Sequence, residues 1–188
     1  MDITNSLYEG RLIRLGPIDH EQDPPLVARW THDALFRSVL GAVARPLSSE
    51  AVRRQLEKVE KQMEETKNII HFTIRARDDN RLIGLARIFW IDFHNGTGVL
   101  NLGVGDSSDR RRGYGLDTVN LLLRFAFDEL NLHRLSAWSS ADNLPFIRLV
   151  KKAGFEEEAR RREASFHDGS YWDVLHLGLL RSKWEQKS

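Results

Sequence analysis

Cysteine is absent from the 188-residue sequence. This excludes a disulfide framework, a thiolate metal site and a cysteine nucleophile in the chain, and it fits a reducing compartment. The sequence also has almost no excess charge of one sign, since its formal net charge is +1. No overall field therefore attracts nucleic acid or an anionic membrane, and we expect neither as a partner.

Long hydrophobic runs are also missing. A run such as residues 175–180 is far too short to cross a bilayer. The first twenty residues carry several charges and no apolar core, which argues against a signal peptide. Hydrophobic residues make up 41% of the chain and charged residues 29%, an ordinary globular balance. We expect one soluble, cytoplasmic domain that spans residues 1–188.

The N-terminal third predicts one strand and two helices. Residues 11–15 alternate between apolar and polar, as a strand does. Asp23 precedes two prolines, a pattern typical of a helix that starts with a side-chain cap. Ser48 or Ser49 is expected to cap the next helix. Its predicted inward stripe consists of Val52, Leu56, Val59 and Met63.

The rest of the chain alternates predicted strands, turns and helices. We expect strands over residues 69–76, 82–91, 99–104, 135–139, 156–162 and 171–180, and helices over residues 116–130 and 143–153. Asn143 should cap the second of these helices and Gly154 should end it. The helix-rich start followed by hairpins predicts an α+β fold with a mixed, mainly antiparallel sheet.

The clearest chemical signal lies in residues 105–115, between a predicted strand and a predicted helix. Glycines there let the backbone approach a ligand closely, and the unpaired amides of a helix start attract an anion. We therefore predict a phosphate-binding loop, with a solvated, arginine-rich turn as the alternative. A P-loop would need Gly-Lys-Ser/Thr, which is absent. A dinucleotide fingerprint fails because Ser108 occupies the third glycine position.

Arg110-x-x-Gly113-x-Gly115 resembles the R/Q-x-x-G-x-G/A signature of the GNAT N-acetyltransferase superfamily. The helix from Asn143 that ends in residues 152–155 resembles the second conserved segment of this superfamily. Residues 171–174, and residues 11–15 with Trp30, resemble the branch that contains ribosomal-protein and spermidine acetyltransferases. The resemblance implies about seven strands flanked by about four helices, and acetyl-CoA as the cosubstrate.

The resemblance also implies roles for individual residues. The backbone of Leu102, Gly103 and Val104 would pair with the pantetheine arm of acetyl-CoA. The pyrophosphate would lie on the loop formed by Arg110, Arg111, Arg112, Gly113, Tyr114 and Gly115, mainly through its amides. Asn143 would contact the arm near the thiol besides capping its helix, and Trp30 would lie on the substrate side. A homodimer is a further expectation.

Three positions depart from the family pattern. Arg111 stands where many relatives have glycine, Val150 where many have a tyrosine that protonates the leaving thiolate, and Val99 where many have a glutamate near the amine. Asp92 and Glu163 are our candidates for a base that acts through water. A backbone N–H of residues 99–104 would polarise the thioester carbonyl. The histidines show no metal-binding spacing, so we expect no metal.

The predicted reaction is direct transfer of an acetyl group from acetyl-CoA to a primary amine. A protein N-terminus, a polyamine, an antibiotic amine and an amino acid all remain open as the acceptor. One alternative is a GNAT-fold module that binds acyl-CoA without turnover, which the valines at positions 99 and 150 motivate. Another is a nucleic-acid binder that uses its arginine clusters, against which the net charge of +1 speaks.

Overall fold

The computed structural model describes residues 7–33, 36 and 45–186. These residues form one seven-stranded sheet with the order β1-β2-β3-β4-β5-β7-β6. The strands are β1 (Ile13–Gly16), β2 (Ile69–Ala76), β3 (Leu82–Asp92), β4 (Thr97–Val104), β5 (Arg134–Ser140), β6 (Glu156–His167) and β7 (Ser170–Leu180). The helices are α1 (Asp23–Trp30), α2 (Ser49–Thr66), α3 (Tyr114–Arg124), α4 (Leu144–Ala153) and the one-turn α5 (Arg181–Glu185).

Neighbouring strands are antiparallel except for β4 and β5, which run parallel. Two consecutive strands can be parallel only if a crossover connects them, and here α3 is that crossover. The mixed, mainly antiparallel α+β fold predicted from the sequence is confirmed. The last two strands belong to the same sheet as β4, as expected.

Apolar residues pack on both faces of the sheet. On one face α3 and α4 bury Leu122 and Val150 against strand residues such as Leu100. On the other face α1 and α2 bury Val27 and Leu56 against residues of β3. The successive β3 residues 85 and 86 belong to opposite clusters, because side chains alternate between the faces of a strand. We name the α1/α2 side the second face.

Three of the predicted helix boundaries follow from capping. The Ser48 side chain accepts a hydrogen bond from Ala51 N at 3.2 Å and starts α2. Asn143 accepts one from Phe146 N at 3.4 Å and starts α4. Gly154 ends α4 with a φ of 111°, a conformation that favours glycine. These three predictions are confirmed.

The predicted start of α1 was wrong. Asp23 does not cap α1. Gln22 is the N-cap residue, and the buried Asp23 carboxylate accepts two hydrogen bonds of 2.8 Å from Arg75. The helix predicted over residues 116–130 is present and begins at Tyr114, but its last turn, Phe125–Glu129, is π-helical.

The last hairpin also differs from its prediction. β6 extends to His167, five residues beyond the expected end, and a bulge between Arg161 and Ser165 interrupts its pairing with β7. No helix in the described part of the chain is long and apolar enough to span a membrane.

Candidate active site

The two parallel strands separate soon after they meet. β4 and β5 pair from Thr97 to Val99 only, and the last pair is Val99 with Ser136. Beyond that pair, β4 stays bonded to β3 as far as Val104, and β5 stays bonded to β7 as far as Ser140. The facing edges of residues 100–104 and 137–140 therefore carry backbone groups that no strand partners. We name this opening the β4–β5 gap.

The loop at the end of β4 offers a series of backbone donors. Asp117 N donates to Gly113 O at 3.1 Å and is the first amide of α3 with a helical partner. The hydrogen bonds within the described residues include none donated by the backbone amides of residues 111–116. These amides belong to the start of a helix, where the dipole adds partial positive charge. The loop therefore has the donors and the field that a phosphate group requires.

Positive backbone φ angles shape this loop. Gly113 has a φ of 91° and is the N-cap residue of α3, without a side chain to compete for the helix amides. Arg111 has a φ of 64°, which an L-residue adopts at a cost. The left-handed conformation explains why glycine suits position 111. The Arg111 side chain is exposed.

A buried carboxylate anchors the loop to the sheet. Asp109 is only 4% exposed, and both of its oxygens accept hydrogen bonds from Arg81, at 2.6 and 2.7 Å. The Arg81 guanidinium holds the pKa of Asp109 below its usual range. Arg112 Nη1 adds a weaker contact of 3.5 Å to the same carboxylate. The pair joins the loop to the start of β3.

Arg110 points back toward the strand from which the loop emerges. Its guanidinium donates to Gly105 O at 2.7 Å and to Val104 O at 3.3 Å, and it pairs with Asp33 at 2.8 Å. The side chain therefore shapes the end of β4. A direct contact between Arg110 and the pyrophosphate stays a prediction.

Trp30 lies in the protein interior. Its side chain is 3% exposed and meets the Phe36 ring edge-on at a centroid distance of 5.0 Å. A Cβ atom on Gly105 would overlap the indole ring, so glycine lets Trp30 support the end of β4. This burial argues against direct contact between Trp30 and the acceptor.

Two residues near the gap bear on the chemistry. Asn143 uses its oxygen as a helix cap, and its Nδ2 amide makes no hydrogen bond within the described residues, so it can donate to a ligand. Val150 is fully buried in the α3/α4 core. Valine has no hydroxyl, so this residue cannot act as the acid that a tyrosine supplies in many relatives.

The two candidate bases differ in their environment. Asp92 accepts hydrogen bonds from His94 N at 2.9 Å, Asn95 N at 3.0 Å and Asn95 Nδ2 at 2.6 Å. These bonds, Asn95 N first, lower its pKa, so Asp92 stabilises the β3–β4 turn and is a weak base. Glu163 lies exposed in the β6 bulge with a φ of 49°, and its carboxylate makes no hydrogen bond or ion pair within the described residues.

A match to a protein-family model identifies the family of this chain. Residues 13–156 match the family described as "Acetyltransferase (GNAT) domain", from the first residue of β1 to the first residue of β6. The chain belongs to this family. GNAT proteins are N-acetyltransferases that use acetyl-CoA, so the predicted family, enzyme class and cosubstrate are confirmed.

Several GNAT relatives cover most of the chain. A prophage-derived uncharacterized N-acetyltransferase of Bacillus subtilis is 33% identical over 155 residues, which are 80% of this chain and 85% of the relative. A spermidine N(1)-acetyltransferase of Vibrio cholerae is 27% identical over 57% of this chain and 61% of its own. A crystal structure of the Vibrio cholerae spermidine N-acetyltransferase with CoA and spermine matches with a TM-score of 0.78. It is 20% identical and covers 92% of this chain and 98% of that one. This likeness shows the same fold.

The sequence alone does not indicate some of the site residues of this GNAT chain. The Arg81–Asp109 pair depends on β3 lying beside β4, and no local pattern indicates that register. His71, Arg87 and Asn101 form a row across three strands of the second face. Their spacing in the sequence is irregular, so only the sheet pairing brings them together. In the described residues, no three His, Asp or Glu side chains cluster closely enough to hold a metal ion.

Proposed function

We propose that this GNAT enzyme transfers the acetyl group of acetyl-CoA directly to a primary amine bound beside the β4–β5 gap. The observation that carries the proposal is the series of unpaired amides of residues 111–116 at the end of a strand edge that is itself unpaired. Pyrophosphate suits the amides, and the amide groups of a pantetheine arm suit the free edge of residues 100–104. One extended ligand can therefore use both.

The proposed chemistry needs no covalent enzyme intermediate. The amine nitrogen forms a bond to the thioester carbonyl carbon, the carbon–sulfur bond breaks, and the amine proton ends on water or on the CoA thiolate. Holding the two reactants in the gap contributes to the rate, since good orientation is worth about 7–11 kcal/mol in favourable cases. Glu163, acting through water, remains the better supported of the two candidate bases because its carboxylate is free of described partners.

The second candidate function is acyl-CoA binding without turnover. The observation in its favour is Val150, which fills the position of the usual acid and is fully buried. A thiol has a pKa low enough for CoA to leave as a thiolate at neutral pH without an acid from the protein. The valine at position 150 therefore does not exclude catalysis.

We further propose a cytoplasmic location and a single domain. The absence of cysteine supports the first and the single sheet supports the second. The homodimer stays a prediction.

Release of the CoA thiol tests the activity directly. The chain has no cysteine, so a thiol reagent in the assay reports only on CoA. We expect release with at least one of four acceptor types: a peptide N-terminus, a polyamine, an aminoglycoside-type amine or an amino acid. Tight acetyl-CoA binding with no release from any acceptor would favour the binding module.

Substitutions at the loop glycines test the assigned acetyl-CoA site. Gly113→Asp and Gly115→Asp place a carboxylate among the amides of the helix start, and we expect both to abolish acetyl-CoA binding. Gly113→Asn is the matched control, because asparagine has the same size and tolerates a positive φ but carries no charge. Calorimetry on folded variants should show a much smaller loss for asparagine. Unaltered affinity in both aspartate variants would overturn the assignment of this loop.

A further inference from the structure

Arg87 is an arginine without a counter-charge in the described part of the chain. Its Nε atom is buried and has no hydrogen-bond partner, and its guanidinium lies over the Phe89 ring, 4.6 Å from the centroid. Three other partly covered arginines each pair with a carboxylate, in Arg75–Asp23, Arg81–Asp109 and Arg110–Asp33. An arginine cannot shed its proton, so Arg87 keeps a half-buried, uncompensated positive charge.

Two further polar side chains flank Arg87. His71 on β2 and Asn101 on β4 are its directly paired neighbours in the sheet, so the three side chains lie on one face, in adjacent positions. His71 is 7% exposed and its Nδ1 atom has no hydrogen-bond partner in the described chain. The Asn101 amide makes no hydrogen bond there either. We name His71, Arg87 and Asn101 the polar row.

The polar row adjoins the β4–β5 gap. Asn101 lies two residues beyond Val99, the last β4 residue that pairs with β5, and so it stands on the same face as Val99 and in the unpaired stretch. On the β3 side, Phe89 follows Arg87 on this face. Its ring contacts that of Trp138 on β5, at a centroid distance of 5.5 Å. The polar row and the Phe89–Trp138 pair therefore both adjoin the β4–β5 gap on the second face.

The electrostatics of the row are one-sided. Burial lowers the pKa of Arg87, and no carboxylate acts against this effect. Burial first, and Arg87 second, lower the pKa of His71 to about 4, so His71 is neutral at pH 7 and can donate one hydrogen bond. An unpaired buried cation is costly, and a ligand that brings the missing negative charge removes that cost.

We propose that the acetyl acceptor is an amine that also bears a carboxylate, and that Arg87 binds this carboxylate with Asn101 and His71 as supporting donors. The proposal rests on the proposed function and narrows its acceptor class. A polyamine fits this site poorly, because its second ammonium group would approach Arg87 and find no carboxylate in the row. An amino acid or a carboxylate-bearing analogue supplies both the amine and the anion.

Matched acceptors test the proposal. Phenylalanine and phenylalaninamide differ only at the carboxylate, as do glutamate and its α-amide. We expect kcat/KM to favour the acid at least about tenfold, as for a charge-assisted hydrogen-bonded pair. The amine of the amide is less basic and more of it is neutral, so intrinsic reactivity favours the amide and cannot produce this preference. Spermidine serves as the cationic comparison.

Two variants locate the preference. Asn101→Asp places a carboxylate at the position facing Arg87, and we expect it to abolish the preference for the acid and to improve relative activity on spermidine. Arg87→Met should also abolish the preference. Arg54→Met, on the exposed face of α2, is the matched control and should retain it. Because Asn101→Asp adds a pairing partner, it tests the idea even if Arg87→Met folds poorly.

A binding measurement separates this inference from the proposed function. Calorimetry with N-acetylphenylalanine and its carboxamide, on enzyme saturated with CoA, needs no turnover, and we expect only the acid to bind well. Equal treatment of acid and amide, binding of neither, or a preference that survives Asn101→Asp would overturn the inference. Loss of CoA binding itself, or thiol release from no amine, would instead count against the proposed function.

Discussion

Arg111 adopts a left-handed backbone conformation with a φ of 64°, and a glycine there would be free of the steric cost of about 1 kcal/mol that a Cβ brings. We expect Arg111→Gly to keep acetyl-CoA affinity nearly unchanged and not to lower the free energy of unfolding. Arg112→Gly is the control, because residue 112 has no positive φ and contacts Asp109. Urea denaturation of Arg112→Gly should show a free energy of unfolding that is lower by about 0.5–1 kcal/mol. Equal destabilisation by the two substitutions would contradict the strain argument.

His71 should make stability depend on pH. Its pKa is about 4 in the folded protein, against the usual 6.5. Between these values the unfolded chain binds a proton that the folded chain does not, so the free energy of unfolding falls as the pH is lowered from 6.5 toward 4. A gap of this size corresponds to about 3 kcal/mol at most.

Urea denaturation between pH 7 and 5, without acceptor, measures this effect. His71→Leu removes the titrating group but keeps an apolar side chain in its place, so its stability should fall less steeply than that of the parent protein. Arg87, which faces His71 across the strand pair, stays charged throughout this range. Parallel pH profiles for the two proteins would show that His71 is protonated as easily in the folded state as in the unfolded one.

At the scale of single elements, the β4–α3 loop depends on one ion pair. Asp109→Asn leaves Arg81 without its buried partner, and we expect a loss of about 1–3 kcal/mol in the free energy of unfolding. Acetyl-CoA affinity should fall too, because the loop amides lose their fixed position.

Asp79→Asn is the matched control for that change. Asp79 contacts the same Arg81 at 3.2 Å, but it is exposed, and exposed pairs contribute only about 0–1 kcal/mol. Urea denaturation and calorimetry on both variants decide the matter. If the two substitutions cost the same, the buried contact is not what holds the loop.

The elements also show which predictions a sequence supports. The caps formed by Ser48, Asn143 and Gly154 involve neighbouring backbone groups. They could therefore be predicted from the local sequence. Asp23 has the same local signature, but its carboxylate pairs with Arg75, 52 residues away. The π-helical turn after Arg124 and the β6 bulge were not predicted from the sequence either. The anion loop could be predicted because its glycines and arginines are contiguous, whereas the polar row exists only once three strands are in register.

At the scale of the whole molecule, the parallel junction is the weak point of the sheet. β4 and β5 pair only from Thr97 to Val99, whereas β5 pairs with β7 along its whole length, from Arg134 to Ser140. The strands β1–β4 and β5–β7 are therefore joined by few backbone hydrogen bonds on this line, and unpaired amides near an open edge exchange readily with solvent. A ligand in the gap would connect the two parts.

Hydrogen exchange with and without CoA tests this connection. We expect CoA to slow exchange at residues 100–104 and 137–140, on both edges of the gap, as well as at residues 111–116. Binding should also raise the melting temperature with CoA concentration, since a ligand of the folded state alone stabilises by mass action. Gly113→Asp should show neither effect. Protection limited to the loop, with the strand edges unchanged, would mean that the pyrophosphate binds but the pantetheine arm does not lie between β4 and β5.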